Sequence, residues 1–105
     1  MSSQQPKYEP GQVIHHLNFD YTGVVVGVDD EFSGSDEWYE KEAQSRPPKD
    51  GPWYHVLVHD AEKQTYVAEK NLHLAPNPAP INNPSIPLFF DTFRSGRYIR
   101  RRLIN

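Results

Sequence analysis

Five histidines, fourteen carboxylates and a terminal run of arginines are the side chains here that could bind ions, move protons or hold phosphate. The histidines lack metal spacing. His15 and His16 are adjacent, so on a strand they face opposite sides. His55 and His59 share a face but stand roughly 13 Å apart on an extended strand, too far for one ion. Cysteine is absent, which removes zinc–thiolate sites, iron–sulfur ligation, disulfides and thiol nucleophiles together. There is no Gly-rich phosphate loop and no Gly-x-Ser-x-Gly elbow. The sequence therefore predicts no catalytic residue, no metal and no cofactor: a protein that binds rather than an enzyme.

Two features remain as candidate binding chemistry. The first is aromatic and basic: Trp38, Tyr39, Arg46, Lys49, Trp53 and His55 are candidates for contact with a protein partner, since Trp and Tyr are favoured anchors. For Trp38 and Trp53 core packing is the competing reading. Arg46-Pro47-Pro48-Lys49 is either a rigid docking loop or a plain helix stop. The second is the run Arg94, Arg97, Arg100, Arg101 and Arg102, which no acid follows or interrupts. It could hold phosphate or an acidic partner. Acid is concentrated at the other end of the chain, with seven carboxylates between Asp29 and Glu42. Residues 1–50 carry a net −6 and residues 51–105 a net +3, which sum to −3. That total weakens a nucleic-acid reading, because affinity for DNA rests largely on phosphate neutralisation. The acidic stretch could also meet the arginines of a second copy, giving a homo-oligomer.

The elements that must position these groups are short. The 105 residues suit one domain, and thirteen aromatics can supply much of its core. Strands are expected at 12–17, 21–29, 53–59, 65–68 and 72–74, the second and third carried by Val24, Val25, Val26, Val28 and by Trp53 to His59. In the third, Tyr54, Val56 and Val58 form an all-apolar face that should point to the core. Gly23 and Gly27 mark a bulge or bend. Ser35 can cap a helix near 35–45, with Asp36 and Glu37 in its first turn and Pro47-Pro48 beyond its end. Five prolines between Ala75 and Pro87 read as an extended connector over 75–87. Leu88, Phe89 and Phe93 suggest a C-terminal helix near 86–95, stopped by Gly96. The domain reading is a disordered 1–9, a single domain over 10–98 and a basic tail at 99–105. Met1 to Pro10 is polar and no apolar run nears 18 residues, so neither signal peptide nor membrane span is expected, and the location is cytoplasmic.

Gly23-Val24-Val25-Val26-Gly27-Val28-Asp29, Asp36-Glu37-Trp38-Tyr39, Ser45-Arg46-Pro47-Pro48-Lys49, Pro52-Trp53-Tyr54-His55-Val56-Leu57-Val58 and Tyr66-Val67-Ala68-Glu69-Lys70-Asn71-Leu72 follow one another in an order that resembles the YccV-like family. This is the HspQ group of bacterial heat-shock proteins, also called the hemimethylated-DNA-binding domain family. The Phe89-Phe90 to Tyr98 segment is similar to the end of its bacterial chains. The resemblance implies a mainly β fold, a small SH3-like β-barrel with an inserted helix. It implies one of two roles. In the favoured one the protein is a non-enzymatic stress factor that brings selected or denatured substrates to an ATP-dependent protease. In the alternative it binds hemimethylated DNA and modulates replication initiation.

Overall fold

The computed structural model describes residues 5–43 and 46–100. Its main sheet is fully antiparallel and has five strands: β1 (Val13–His16), β2 (Thr22–Asp29), β3 (Trp53–Val58), β4 (Gln64–Ala68) and β5 (Leu72–Leu74). The spatial order is β4-β3-β2-β1-β5. A 3-10 turn, Glu69–Asn71, joins the two edge strands, which do not pair with each other. The fold is mainly β, as expected, and the sheet is open along one seam, between β4 and β5. The runs of β-branched and aromatic residues became strands within a residue or two of the sequence reading. The bulge falls where the glycines stand: the register of β2 against β3 shifts between Val25 and Gly27. A Cβ at Gly27 would lie 3.1 Å from the His55 ring.

Helix α1 (Asp36–Glu42) is inserted between β2 and β3. Ser35 caps it, its hydroxyl accepting from Trp38 N at 3.0 Å. That satisfies one of the free amides of the first turn, where Asp36 and Glu37 also complement the helix dipole.

Both faces of the sheet are covered. On one, Ile14, Val25, Tyr54, Val56, Val67 and Leu72 pack together. On the other, Val13, Val24 and Leu57 meet Ile81, Phe90 and Tyr98 from the C-terminal third. A third cluster joins Trp53 and Ala68 to Tyr39 and Ala43 of the α1 region. The expected inward face of β3 is buried, but so are Trp53 and Leu57 of the opposite face. Sequence alternation identified one covered face and could not show the second, which distant segments cover.

The connector 75–87 is extended, and it is fastened at two points. Ile81 is buried, and the Asn83 amide donates to Val58 O at 2.9 Å and Lys63 O at 3.2 Å. The expected helix near 86–95 is corrected: α2 is a single turn, Ile86–Phe89, followed by a hairpin of β6 (Phe90–Arg94) and β7 (Arg97–Arg100). Ser95 and Gly96 have φ of 54° and 82°, the paired left-handed backbone of a tight hairpin loop. Leu88, assigned to the apolar stripe of that helix, is 73% exposed. The start of the expected tail, Ile99 and Arg100, is thus strand, while Arg101 and Arg102 lie outside the described residues. At the other end, the stretch 1–9 was expected to be disordered, yet its described part is fastened to the sheet from Lys7 onward. Lys7 N donates to Glu69 at 2.9 Å, and Tyr8 donates from its hydroxyl to Leu72 O at 3.1 Å.

Candidate nucleic-acid interface

The β6–β7 ribbon is held by its inner face. Phe90 stacks on Tyr98 with ring centroids 5.0 Å apart, and Phe93 meets Tyr98 edge-on at 4.9 Å. The buried Tyr98 hydroxyl accepts from Ile81 N at 2.9 Å. Tyr98 N donates to Gly11 O at 2.8 Å. Gly11 has a φ of 103°, and a Cβ there would stand 2.3 Å from Tyr98 O, so only glycine admits this approach. The ribbon is therefore anchored to the connector and to Gly11 through Tyr98.

Its outer face follows from the register. Phe93 pairs with Tyr98, and both turn inward. The pairs on either side, Thr92↔Ile99 and Arg94↔Arg97, therefore turn outward. Thr92, Arg94 and Ile99 are exposed, and Arg97 is partly so. Two guanidinium groups and two methyl-bearing side chains thus share one side of a two-stranded ribbon. Arg97 makes a long contact with Glu9, 3.5 Å. Arg94 and Arg100 have no ion pair among the described residues. The sequence offers the arginines as candidates, and the aromatic Phe93 and Tyr98 between them face inward. Ile99 and Thr92 supply the apolar surface instead. The signal that could have found them is the Ser95-Gly96 dipeptide between two alternating runs.

The other predicted contact residues divide sharply. Trp53 and Tyr39 are buried, at 1% and 9% exposure, and hold the fold. Trp53 Nε1 donates to Pro48 O at 3.0 Å and the Tyr39 hydroxyl donates to Pro47 O at 2.7 Å. These bonds fasten the Arg46–Lys49 loop inward. Arg46 pairs with Glu40 at 2.9 Å and Lys49 with Asp36 at 3.3 Å, so both cations face the acids of α1. Lys49 also lies 4.3 Å from the Tyr39 ring centroid. Trp38 and His55 are half-buried around Tyr66, at 5.7 and 4.6 Å between ring centroids.

One polar cluster escaped the sequence reading. Asp29 accepts from Tyr66 OH at 2.5 Å and Ser33 Oγ at 2.7 Å, and His55 Nε2 lies 3.2 Å away. Burial pushes the Asp29 carboxyl up, but these donors and the His55 charge together hold it below the usual carboxylate range. Burial, and then donation to Asp29, raise the Tyr66 hydroxyl. The serine donates to the aspartate rather than facing the histidine, so this is a clamp on the loop before α1 and not a nucleophile with its base. His16 is buried, its Nδ1 accepting from Asn18 N and Phe19 N at 3.1 Å each. Burial, and then the neighbouring His15, lower its pKa below the usual histidine value. Among the described residues no three metal-ligating side chains come together.

Residues 6–97 match the family described as hemimethylated DNA-binding protein YccV like. The chain belongs to this YccV-like family. The match covers the sheet, α1, the connector, β6 and the first residue of β7, and stops before Tyr98 and Ile99. Among the described residues no helix is long and apolar enough to cross a membrane.

Proposed function

We propose that this YccV-like protein binds DNA by laying the outer face of the β6–β7 ribbon in the major groove, and that its preferred duplex is hemimethylated. The observation that carries this is the adjacency of the Arg94–Arg97 and Thr92–Ile99 pairs on one exposed face. The major groove, about 12 Å wide, admits a two-stranded β-ribbon, and every base methyl there is read by apolar contact. Arginines beside such a contact hold phosphates or guanine edges. One isoleucine flanked by cations is matched to a single methyl on one strand. The family description supports the same ligand. Arg101 and Arg102 continue the basic run in sequence and add phosphate contacts.

The test is fluorescence anisotropy of labelled hemimethylated, fully methylated and unmethylated duplexes across a salt series. The reading expects the hemimethylated duplex to bind tightest, with affinity falling steeply as salt rises. Weak binding that ignores methylation and vanishes near physiological salt sinks it.

A second reading is favoured by charge. The chain is net −3, and Asp36, Glu37, Glu40 and Glu42 are all exposed on α1. Such a surface suits a basic protein partner. In this reading the protein tethers selected or denatured substrates to an ATP-dependent protease in the cytoplasm and has no chemistry of its own. Neutralising Asp36, Glu37, Glu40 and Glu42 would then reduce protease stimulation; an unchanged degradation rate removes this surface from the account.

A further inference from the structure

Along the unpaired edge of β4 the sheet opens into a groove of about 1040 Å³. Lys63, Gln64, Thr65, Tyr66, Val67 and Ala68 line it in unbroken succession, so it follows the backbone edge of the strand and not one of its faces. The hydrogen-bond phase shows which groups the edge presents. Val58 N donates to Lys63 O and Glu69 N to Pro52 O, so residues 63, 65, 67 and 69 bond inward to the β3 side. Gln64, Tyr66 and Ala68 therefore turn their N–H and C=O groups outward. Among the described residues these groups have no backbone partner in the sheet, and only the Ala68 C=O is otherwise used, accepting from Asn71 N–H at the start of the 3-10 turn. β4 itself carries no proline, no bulge and no inward charge.

The walls are aromatic. Phe19 (66% exposed) and Tyr21 stand on one side, Trp38 and Pro47 on the other. The ends are charged. Trp38 packs on Tyr66, and Ala43, next to Glu42, shares a buried cluster with Ala68, so Glu42 lies toward the Ala68 end. Lys63 stands at the opposite end. Among the described residues neither Glu42 nor Lys63 is in an ion pair.

We propose that this groove binds an extended peptide segment as a sixth strand, antiparallel to β4. The peptide is apolar at its centre, with a Lys or Arg toward its N-terminal end at Glu42 and an Asp or Glu toward its C-terminal end at Lys63. Main-chain bonds to Gln64, Tyr66 and the Ala68 N–H supply the affinity, and the end charges set the direction. The groove is independent of the β6–β7 ribbon, and the proposal does not rest on the DNA-binding reading.

The probe is a capped, fluorescent heptapeptide of alternating valine and threonine with lysine first and glutamate last, titrated into the full chain. N-methylation of its β4-facing amides weakens binding more than about tenfold. Gln64→Pro removes one outward donor while sparing the β3 ladder, and weakens binding similarly. Glu42→Lys is exposed and leaves the fold intact, as circular dichroism checks. It lowers affinity for the lysine-first peptide about three- to tenfold and raises it for the glutamate-first peptide. Three results overturn the proposal: no binding below about 1 mM, binding indifferent to N-methylation, or dimerisation that Gln64→Pro abolishes, which would make a second copy the occupant.

Discussion

Tyr98→Phe is the sharpest probe of how the ribbon is held. The substitution keeps the ring, its stacking on Phe90 and its edge contact with Phe93. It removes one atom, the hydroxyl that accepts from Ile81 N at 2.9 Å. Ile81 is only 7% exposed, so its amide loses its partner in a dry setting. An orphaned buried donor costs about 1–3 kcal/mol. For a domain of this size that corresponds to a fall of roughly 4–8 °C in Tm per kcal/mol. Urea denaturation followed by the emission of buried Trp53 measures it, with the slope checked to be unchanged. A loss below about 0.5 kcal/mol would refute the reasoning, because water would then be replacing the hydroxyl and the connector would not clamp the ribbon.

Three further perturbations test the same framework. Gly11→Ala forces a side chain into a left-handed backbone against Tyr98 O and should cost about 1–3 kcal/mol or more in denaturant titration. Trp53→Ala empties the junction of β3 with α1 and should cost about 3–5 kcal/mol by the same assay; a loss under 1 would mean that the cluster around it collapses freely. Asp29 has a folded pKa below its unfolded one, so its contribution is complete above the ordinary carboxylate range and is lost as pH falls through the folded value. Stability measured from pH 6 to pH 3 should therefore drop less steeply below about pH 4 in Asp29→Asn than in the parent.

The sheet was legible because its signals are local. Val24 to Val28 and Trp53 to Val58 alternate or run in β-branched residues, and Ser35 with Asp36 and Glu37 is a helix start in its own right. The C-terminal third was misread for a physical reason. Leu88, Phe89 and Phe93 fit a helical stripe only if Gly96 is a helix stop; the same glycine with Ser95 makes a hairpin loop, and long-range contacts with Ile81 and Gly11 decide between them. The same limit applies to the candidate sites. Sequence could nominate Trp53 and Tyr39 as aromatic anchors, but only the packing of α1 on β3 shows that they are consumed by the core. It offered Arg94 and Arg97 as candidate phosphate or acidic-partner contacts, yet their neighbours Thr92 and Ile99 emerge only from the register of β6 on β7. The seam along β4 has no sequence signature, since it arises from two edge strands that do not meet.

The proposed role of the ribbon's outer face is to read DNA. The most direct measurement compares the salt dependence of hemimethylated-duplex binding in the parent chain and in the Arg94→Gln/Arg97→Gln double variant, with Lys49→Gln as a control cation. Each phosphate contact contributes about 0.9 to the slope of log K against log salt, so the double variant should lose roughly 1.8 of it while the control stays at the parental slope. A double variant with the parental slope and affinity would contradict the account and move the interface off the ribbon.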